Sequence, residues 1–233
     1  MLAGYGAGER GAREAARRGA AVVVVDTYRA STTIAVLVAH GARVLPVASI
    51  EEAARYPADF RIGERGSAKV KGFDFGNSPT EVERASIPAG STVVLSSTNG
   101  TRIIEAAERA PGIYIGAFVN AGAVAEELLR SATADGRVVV VGCGWRGRRA
   151  SEDEAASGEI LARLREGGAG LEERAEKIVA EHAKRPKKAL LGNTAARRIK
   201  RLGYERDLDF CLSLDTVPVV PRLADGAFAR AGT

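Results

Sequence analysis

Several residue types that often carry chemistry are scarce in this chain. In 233 residues there are 2 cysteines, 2 histidines and 1 tryptophan. Cys143 and Cys211 are too few for a disulfide framework or a cysteine-based zinc site. His40 closes a helical pattern before Gly41 and His182 lies in a charged helical stretch, so neither is expected to bind metal. Aromatics reach only 5% against a net charge of +5. Nucleic-acid binders concentrate base on one face and interleave aromatics, so the arginines scattered among glycine-rich loops suit a small, multiply charged anion better. The one basic concentration, residues 184–201 (KRPKKALLGNTAARRIKR), reads as a solvated helical face. No apolar run approaches the roughly 20 residues of a membrane helix, and the first residues hold no continuous apolar stretch of the secretory kind. A cytoplasmic protein without membrane or nucleic-acid partner is expected. No linker, repeat or low-complexity tract stands out, so a single domain over residues 1–233 is expected, with a homodimer as the default assembly.

What is present is valine. Runs at about 21–26 (AVVVVD), 43–47, 59–63, 92–96, 112–117 and 137–142 (RVVVVG) predict strands, each followed by a helical pattern or loop. Strands apolar at every position are buried on both faces, which predicts an α/β fold: a three-layer α/β/α sandwich around a mainly parallel sheet. Beyond Glu159 the pattern is helical, and 151–185 reads as helix throughout. TVPVVPRL (216–223) reads as an edge strand, because its prolines cannot serve a central ladder. Ser49 with Glu52, Ser78 with Glu81 and Ser151 with Glu154 have capping-box spacing.

In parallel sheets ligands gather beyond the carboxyl ends of the strands. The loops there carry Asp26 and Arg29; Glu64, Lys71, Asn77 and Ser78; Thr98, Asn99, Gly100 and Thr101; Asn120; and Arg146, Arg149, Glu152 and Asp153. Each has a plainer reading: Asp26 and Asn120 as helix caps, Asn99-Gly100 as a turn, Glu152 and Asp153 as partners of a helix dipole. Recurrence of acids, amides, hydroxyls and arginines in five loops at one edge points instead to an anion site. Carboxylates facing a phosphate repel it unless a divalent cation intervenes, so Mg²⁺ is the expected cofactor.

The stretch VVVVGCGWRGRRASEDEAASG (138–158) matches two phosphate-binding patterns. Gly142, Gly144 and Gly147 spell a dinucleotide-binding turn, but that reading needs a second parallel strand ending in an acid after the helix. Cys143 and Arg149 have the spacing of a cysteine phosphatase, in which loop N–H groups and the arginine hold the phosphoryl group while a thiolate attacks. Against it, Glu152 and Asp153 crowd the helix start. An aspartyl-nucleophile signature at Asp26 fails, since Tyr28 occupies the position of its second aspartate.

Six blocks, VVVVDTYRASTTIAVLVAHGARVLPVAS, GERGSAKVKGFDFGNSPTEV, STNGTRII, NAGAVAEELL, GWRGRRASEDEAASGEI and DFCLSLDTVPVVPRL, resemble in this order those of the 2-phosphosulfolactate phosphatase (ComB) family, over about residues 20–223. The sequence departs from the family pattern at Tyr28, at Ser96-Ser97, and at Gly142, which pushes the cysteine one position on to Cys143. The resemblance implies a Mg²⁺-dependent phosphatase on an α/β/α fold that hydrolyses 2-phospho-3-sulfolactate to sulfolactate and phosphate, a step of coenzyme M biosynthesis. On that reading Asp26, Glu64 and Asp153 (or Glu152) hold Mg²⁺ and orient a water. Arg29, Asn77-Ser78 and the turn Thr98-Asn99-Gly100-Thr101 grip the phosphate, and Arg146, Arg149 or Lys71 the sulfonate and carboxylate. Asn120 is a further candidate for substrate binding. The alternatives are a cysteine-nucleophile phosphatase using Cys143 and Arg149, and a non-catalytic anion-binding protein on the same scaffold.

Overall fold

A computed structural model describes residues 1–97, 100–131, 135–145 and 147–232. In chain order it runs β1 (Leu2–Ala7), α1 (Gly8–Arg17), β2 (Ala21–Val25), α2 (Ala30–Ala39), β3 (Arg43–Pro46), α3 (Ile50–Arg55), β4 (Phe60–Arg65), β5 (Ala68–Lys69), α4 (Pro79–Arg84), β6 (Thr92–Ser96), α5 (Gly100–Ala106) and β7 (Ile113–Ile115). A 3-10 turn (Phe118–Asn120) leads into α6 (Ala121–Ser131) and β8 (Arg137–Gly142). Then come α7 (Ser151–Glu166), β9 (Gly170–Leu171), α8 (Glu173–Ala183), α9 (Lys187–Leu191), α10 (Thr194–Arg201), α11 (Glu205–Cys211), β10 (Pro221–Ala224) and β11 (Ala227–Arg230).

Among the described residues the strands form one sheet in the order β5-β4-β6-β3-β11-β10-β7-β2-β8-β1-β9. Two parallel blocks make it up. One joins β4, β6 and β3; the other joins β7, β2, β8, β1 and β9. The antiparallel β10–β11 hairpin stitches the blocks together through single residue pairs, Arg222 with Tyr114 and Phe228 with Val44.

The two faces are filled by successive residues of the same strands. Val22 and Val24 pack with α1, α2 and α5, whereas Val23 and Val25 pack with α6, α7 and α8. All four valines are fully buried, each contributing about 1.5–3 kcal/mol relative to exposure. This double burial is what makes the strands uniformly apolar and the architecture a three-layer sandwich with a mostly parallel sheet.

Some sequence expectations need correction. The glycine-rich LAGYGA was not expected to be a strand, yet β1 lies inside the sheet between β8 and β9. Gly6 and Gly11 allow this: a Cβ on Gly11 would lie 2.9 Å from the Gly6 backbone, so α1 rests directly on the strand. The helical run 151–185 is interrupted by the two-residue β9. Only the last three residues of TVPVVPRL are strand, in β10 (Pro221–Ala224), which lies inside the sheet between β7 and β11; Pro221 is tolerated as the first strand residue. Ser49 and Ser78 do cap α3 and α4, accepting the N–H of Glu52 and Glu81. Ser151 does not cap, because Ala150 holds the cap position of α7.

Candidate active site

The β2–α2 loop and the start of α7 are bolted together by backbone-to-carboxylate bonds. Asp153 Oδ1 accepts the Thr27 N–H at 2.8 Å, and its Oδ2 accepts the Gly144 N–H at 2.8 Å. Thr27 Oγ1 donates to the Glu152 carbonyl at 3.2 Å. Asp153 therefore ties the turn after β2 to the turn after β8, fixing Asp26 between them. On the other side, Glu64 at the end of β4 accepts the Ser67 N–H at 2.6 Å. Asn193, which caps α10, donates to Glu152 Oε2 at 2.7 Å.

These groups enclose a polar cavity of about 30 Å³, room for an ion or a single water. Asp26, Glu64, Glu152 and Asp153 line it, with Asn77, Arg29 and Arg198. Burial pushes the Asp26 carboxyl up to about 7, reinforced by the charges of Glu64 and Glu152; the Ala30 N–H and Arg29 oppose the rise only in part. Burial likewise raises Glu152, and raises Asp153 well above the carboxylate range with help from Glu152 and Asp26. Groups this close titrate as a set.

Orphaned polar atoms lie at the cavity wall and around the start of α5. Among the described residues, Asn77 Oδ1, Ser97 Oγ and Thr101 Oγ1 are buried without a hydrogen-bond partner. A Cβ built on Gly100 would lie 3.6 Å from Asp26 Oδ2 and 3.1 Å from Ser97 Oγ, so the start of α5 presses against the aspartate. Buried polar atoms without partners are uncommon in folded proteins and call for an explanation; a ligand in the cavity supplies one.

The structure thus brings together Asp26, Arg29, Glu64, Asn77, Glu152 and Asp153 around the cavity, with Gly100 beside Asp26. Arg29, expected to grip phosphate, is already engaged: Nη1 donates to Asp207 Oδ2 at 2.7 Å and Nη2 to the Ser67 carbonyl at 2.7 Å. Ser78 turns to the same aspartate, donating to Asp207 Oδ1 at 2.8 Å. Three expected residues go elsewhere. Asn120 is sealed in the fold, accepting the Ala117 N–H and donating to the carbonyls of Ile115 and Val219. Lys71 is exposed and does not line the cavity. Arg149 pairs with Glu154 and, at 3.7 Å, with Glu181. Thr98, Asn99 and Arg146 lie outside the described residues.

Sequence reasoning missed Asp207, Ser67, Trp145 and Arg198. Arg198 corrects the reading of 184–201 as a purely solvated face: it turns inward, donating from Nε to Ser67 Oγ at 2.9 Å and stacking on Trp145 with Cζ 4.7 Å from the ring centroid. No pattern in the sequence singled it out, because on α10 Arg198 lies as far around the helix from the buried pair Ala196 and Ile199 as the exposed Arg197 does.

The cysteine-phosphatase geometry is not formed. Burial, and then the charges of Asp26 and Asp153, push the Cys143 thiol well above its ordinary value, so it stays protonated. The loop N–H groups that would cradle phosphate are spent inside the fold: Cys143 on Val25 O, Gly144 on Asp153 and Trp145 on Arg148 O. Arg149, the expected clamp, points to glutamates. The dinucleotide reading fails as well, since the acid of α7 occupies the turn where a pyrophosphate would sit.

Comparison with known proteins gives one consistent picture. The model of the family described as 2-phosphosulpholactate phosphatase matches residues 9–226. A probable 2-phosphosulfolactate phosphatase of Thermotoga petrophila is 36% identical over 210 residues, covering 88% of this chain and 90% of that protein. Proteins of the same description from Carboxydothermus hydrogenoformans and a Synechococcus are each 38% identical, over 86% and 91% of this chain and 85% and 93% of their own lengths.

Proposed function

The chain belongs to the 2-phosphosulpholactate phosphatase family, whose chemistry is hydrolysis of a phosphate monoester, and we propose that it acts on 2-phospho-3-sulfolactate or a similar small anionic phosphate ester, with Mg²⁺, at the cavity around Asp26. The observation that carries this reading is the set of carboxylates of Asp26, Glu64, Glu152 and Asp153 lining one small polar cavity, with Asn77 Oδ1 unbonded at its wall.

Among the described residues no three histidine, cysteine or acidic side chains meet as a ready set of metal ligands. The donors are nevertheless hard carboxylate oxygens, and Mg²⁺ is commonly held by only one or two carboxylates, keeping several waters and substrate oxygens. Asp26 with Glu64 or Glu152 fits that pattern. Asp153, whose two oxygens each accept a loop N–H, is better placed to position Asp26 than to bind metal. When bound, the cation supplies the positive charge that lets a dianionic ester approach these acids and stabilises charge on the transferred group.

The rest falls to the chain's own residues. In its ionised form Asp26 orients the attacking water and accepts its proton as the oxygen adds to phosphorus. The bond from phosphorus to the ester oxygen breaks, and that oxygen leaves as the hydroxyl of sulfolactate with the proton that Asp26 took from the water. Asn77 and the hydroxyls of Ser97 and Thr101 hydrogen-bond the phosphoryl oxygens, their amide and hydroxyl hydrogens being free to rotate or flip toward them. A place in coenzyme M biosynthesis follows if sulfolactate is the product.

The test is hydrolysis of 2-phospho-3-sulfolactate and p-nitrophenyl phosphate by the purified protein. Activity abolished by EDTA, restored by Mg²⁺ and retained in Cys143→Ser is the expected result. Activity that survives chelation but is lost in Cys143→Ser would restore the thiolate mechanism. Failure to hydrolyse any phosphate ester would leave an anion-binding protein.

A further inference from the structure

Arg198 stands where two spaces meet. It lines the acid cavity, and it also lines an adjoining groove of about 320 Å³ whose walls include Trp145, Arg148, Asn193 and Thr194. The two spaces differ in charge. Four carboxylates face the cavity, whereas the groove carries the guanidinium groups of Arg148 and Arg198, with Glu152 between the two.

Of the cationic side chains that line the acid cavity, Arg29 is committed to Asp207 and to the Ser67 carbonyl. Arg198 is committed only through Nε, to Ser67 Oγ, and among the described residues its terminal nitrogens have no hydrogen-bond partner. That single bond and the stack on Trp145 fix the plane of the guanidinium. A fixed guanidinium with its terminal pair free matches the two oxygens of a carboxylate or sulfonate.

We infer that Arg198, presented by Trp145 and Ser67, is the specificity residue of this site: it binds a second acidic group of the substrate on the groove side, while the phosphoryl group sits at the mouth of the acid cavity. The inference rests on the phosphatase reading and sharpens it. The substrate class becomes a phosphate ester that carries a second acidic group, a carboxylate or sulfonate. Such a molecule sets its second anion against arginine, away from the four acids. An ester without that second charge forgoes the Arg198 contact.

The chain has 1 tryptophan, so its fluorescence reports on Trp145 alone and follows binding without catalysis. The experiment titrates the full-length protein with sulfolactate, and with lactate as the analogue lacking the sulfonate, in wild type, Arg198→Lys and Arg198→Gln. Alongside, kcat/KM is measured for 2-phospho-3-sulfolactate and p-nitrophenyl phosphate, and circular dichroism checks that each variant is folded.

Sulfolactate is expected to change Trp145 emission and to bind about tenfold to a hundredfold more weakly to Arg198→Gln, the range for one charged hydrogen-bonded contact. Arg198→Lys, which keeps charge without the stacked fork, should fall between. The preference for 2-phospho-3-sulfolactate over p-nitrophenyl phosphate should drop in Arg198→Gln by a similar factor. Equal sulfolactate affinity in wild type and Arg198→Gln, no emission change on binding, or equal losses on both esters would overturn the inference. Sulfolactate binding that depends on Arg198 in a protein hydrolysing no ester would refute the phosphatase reading and leave the subsite standing.

Discussion

Asp207 is fully buried, Asp26 partly so, and both feel Arg29, yet the fold treats them in opposite ways. Asp207 is fully buried and fully satisfied, with Arg29 on one oxygen and Ser78 and Thr80 on the other. Asp26 instead faces like charges, Glu64 and Glu152, and its carboxyl rises to about 7. Among the described residues the buried guanidinium that could have neutralised Asp26, that of Arg29, forms its salt bridge with Asp207. An acid supplied with its counter-charge holds the structure together, and an acid denied one remains ready for a charge from outside.

The comparison is broken or sharpened most strongly by removing the charge at Asp26. Asp26→Asn should lower kcat by about 10²- to 10⁴-fold, the usual worth of a positioned acid–base group, with the protein at least as stable as wild type because a like charge is gone. Near-normal turnover would take Asp26 out of the chemistry. The reverse is expected for Asp207→Ala. An unpaired buried Arg29 should cost about 3–5 kcal/mol in denaturant unfolding, and loss of activity should track loss of folded protein.

pH provides a weaker handle on the same contrast. The folded-state value of Asp26 is raised from 3.8 to about 7, so between these the folded state holds a proton that the unfolded state has released. Its contribution to stability is complete below about pH 4 and is lost as pH rises through 7; Glu152 and Asp153 shift in the same direction. Melting without divalent cation should fall by about 3–5 °C between pH 5 and 8. Asp26→Asn should flatten the slope, and Mg²⁺ should restore stability at the high-pH end. An unchanged melting temperature across that range would show that the acids are not coupled as drawn. The smallest effect is expected from Lys71→Ala, an exposed group away from the cavity, whose stability and kcat/KM should stay within about 0.5 kcal/mol of wild type.

Much of the fold was legible before any coordinates. Val22 to Val25 are apolar on both faces because helices cover both, and that pattern needs no long-range information. The acids of the site were legible too, since Asp26, Glu64, Glu152 and Asp153 follow strands β2, β4 and β8. What was not legible is how each polar group is spent. Asn120 looked like the other loop-end residues, but its amide is consumed by Ile115, Ala117 and Val219. Arg29 looked free, and its partner lies 178 residues away in α11. β1 escaped notice because close packing on α1 demands glycine, which erases the apolar signal of a strand.

Sequence alone determined the layered α/β class, the edge at which polar loops collect and the family resemblance, because these depend on local periodicity and on short motifs whose residues are neighbours in the chain. Only the tertiary structure decided that Asp153 holds two loops together, that Arg29 belongs to Asp207, and that Arg198, and not Arg197, lines the cavity. A side chain's role here follows from which charges and donors surround it out of water, and those partners come from segments far apart along the chain.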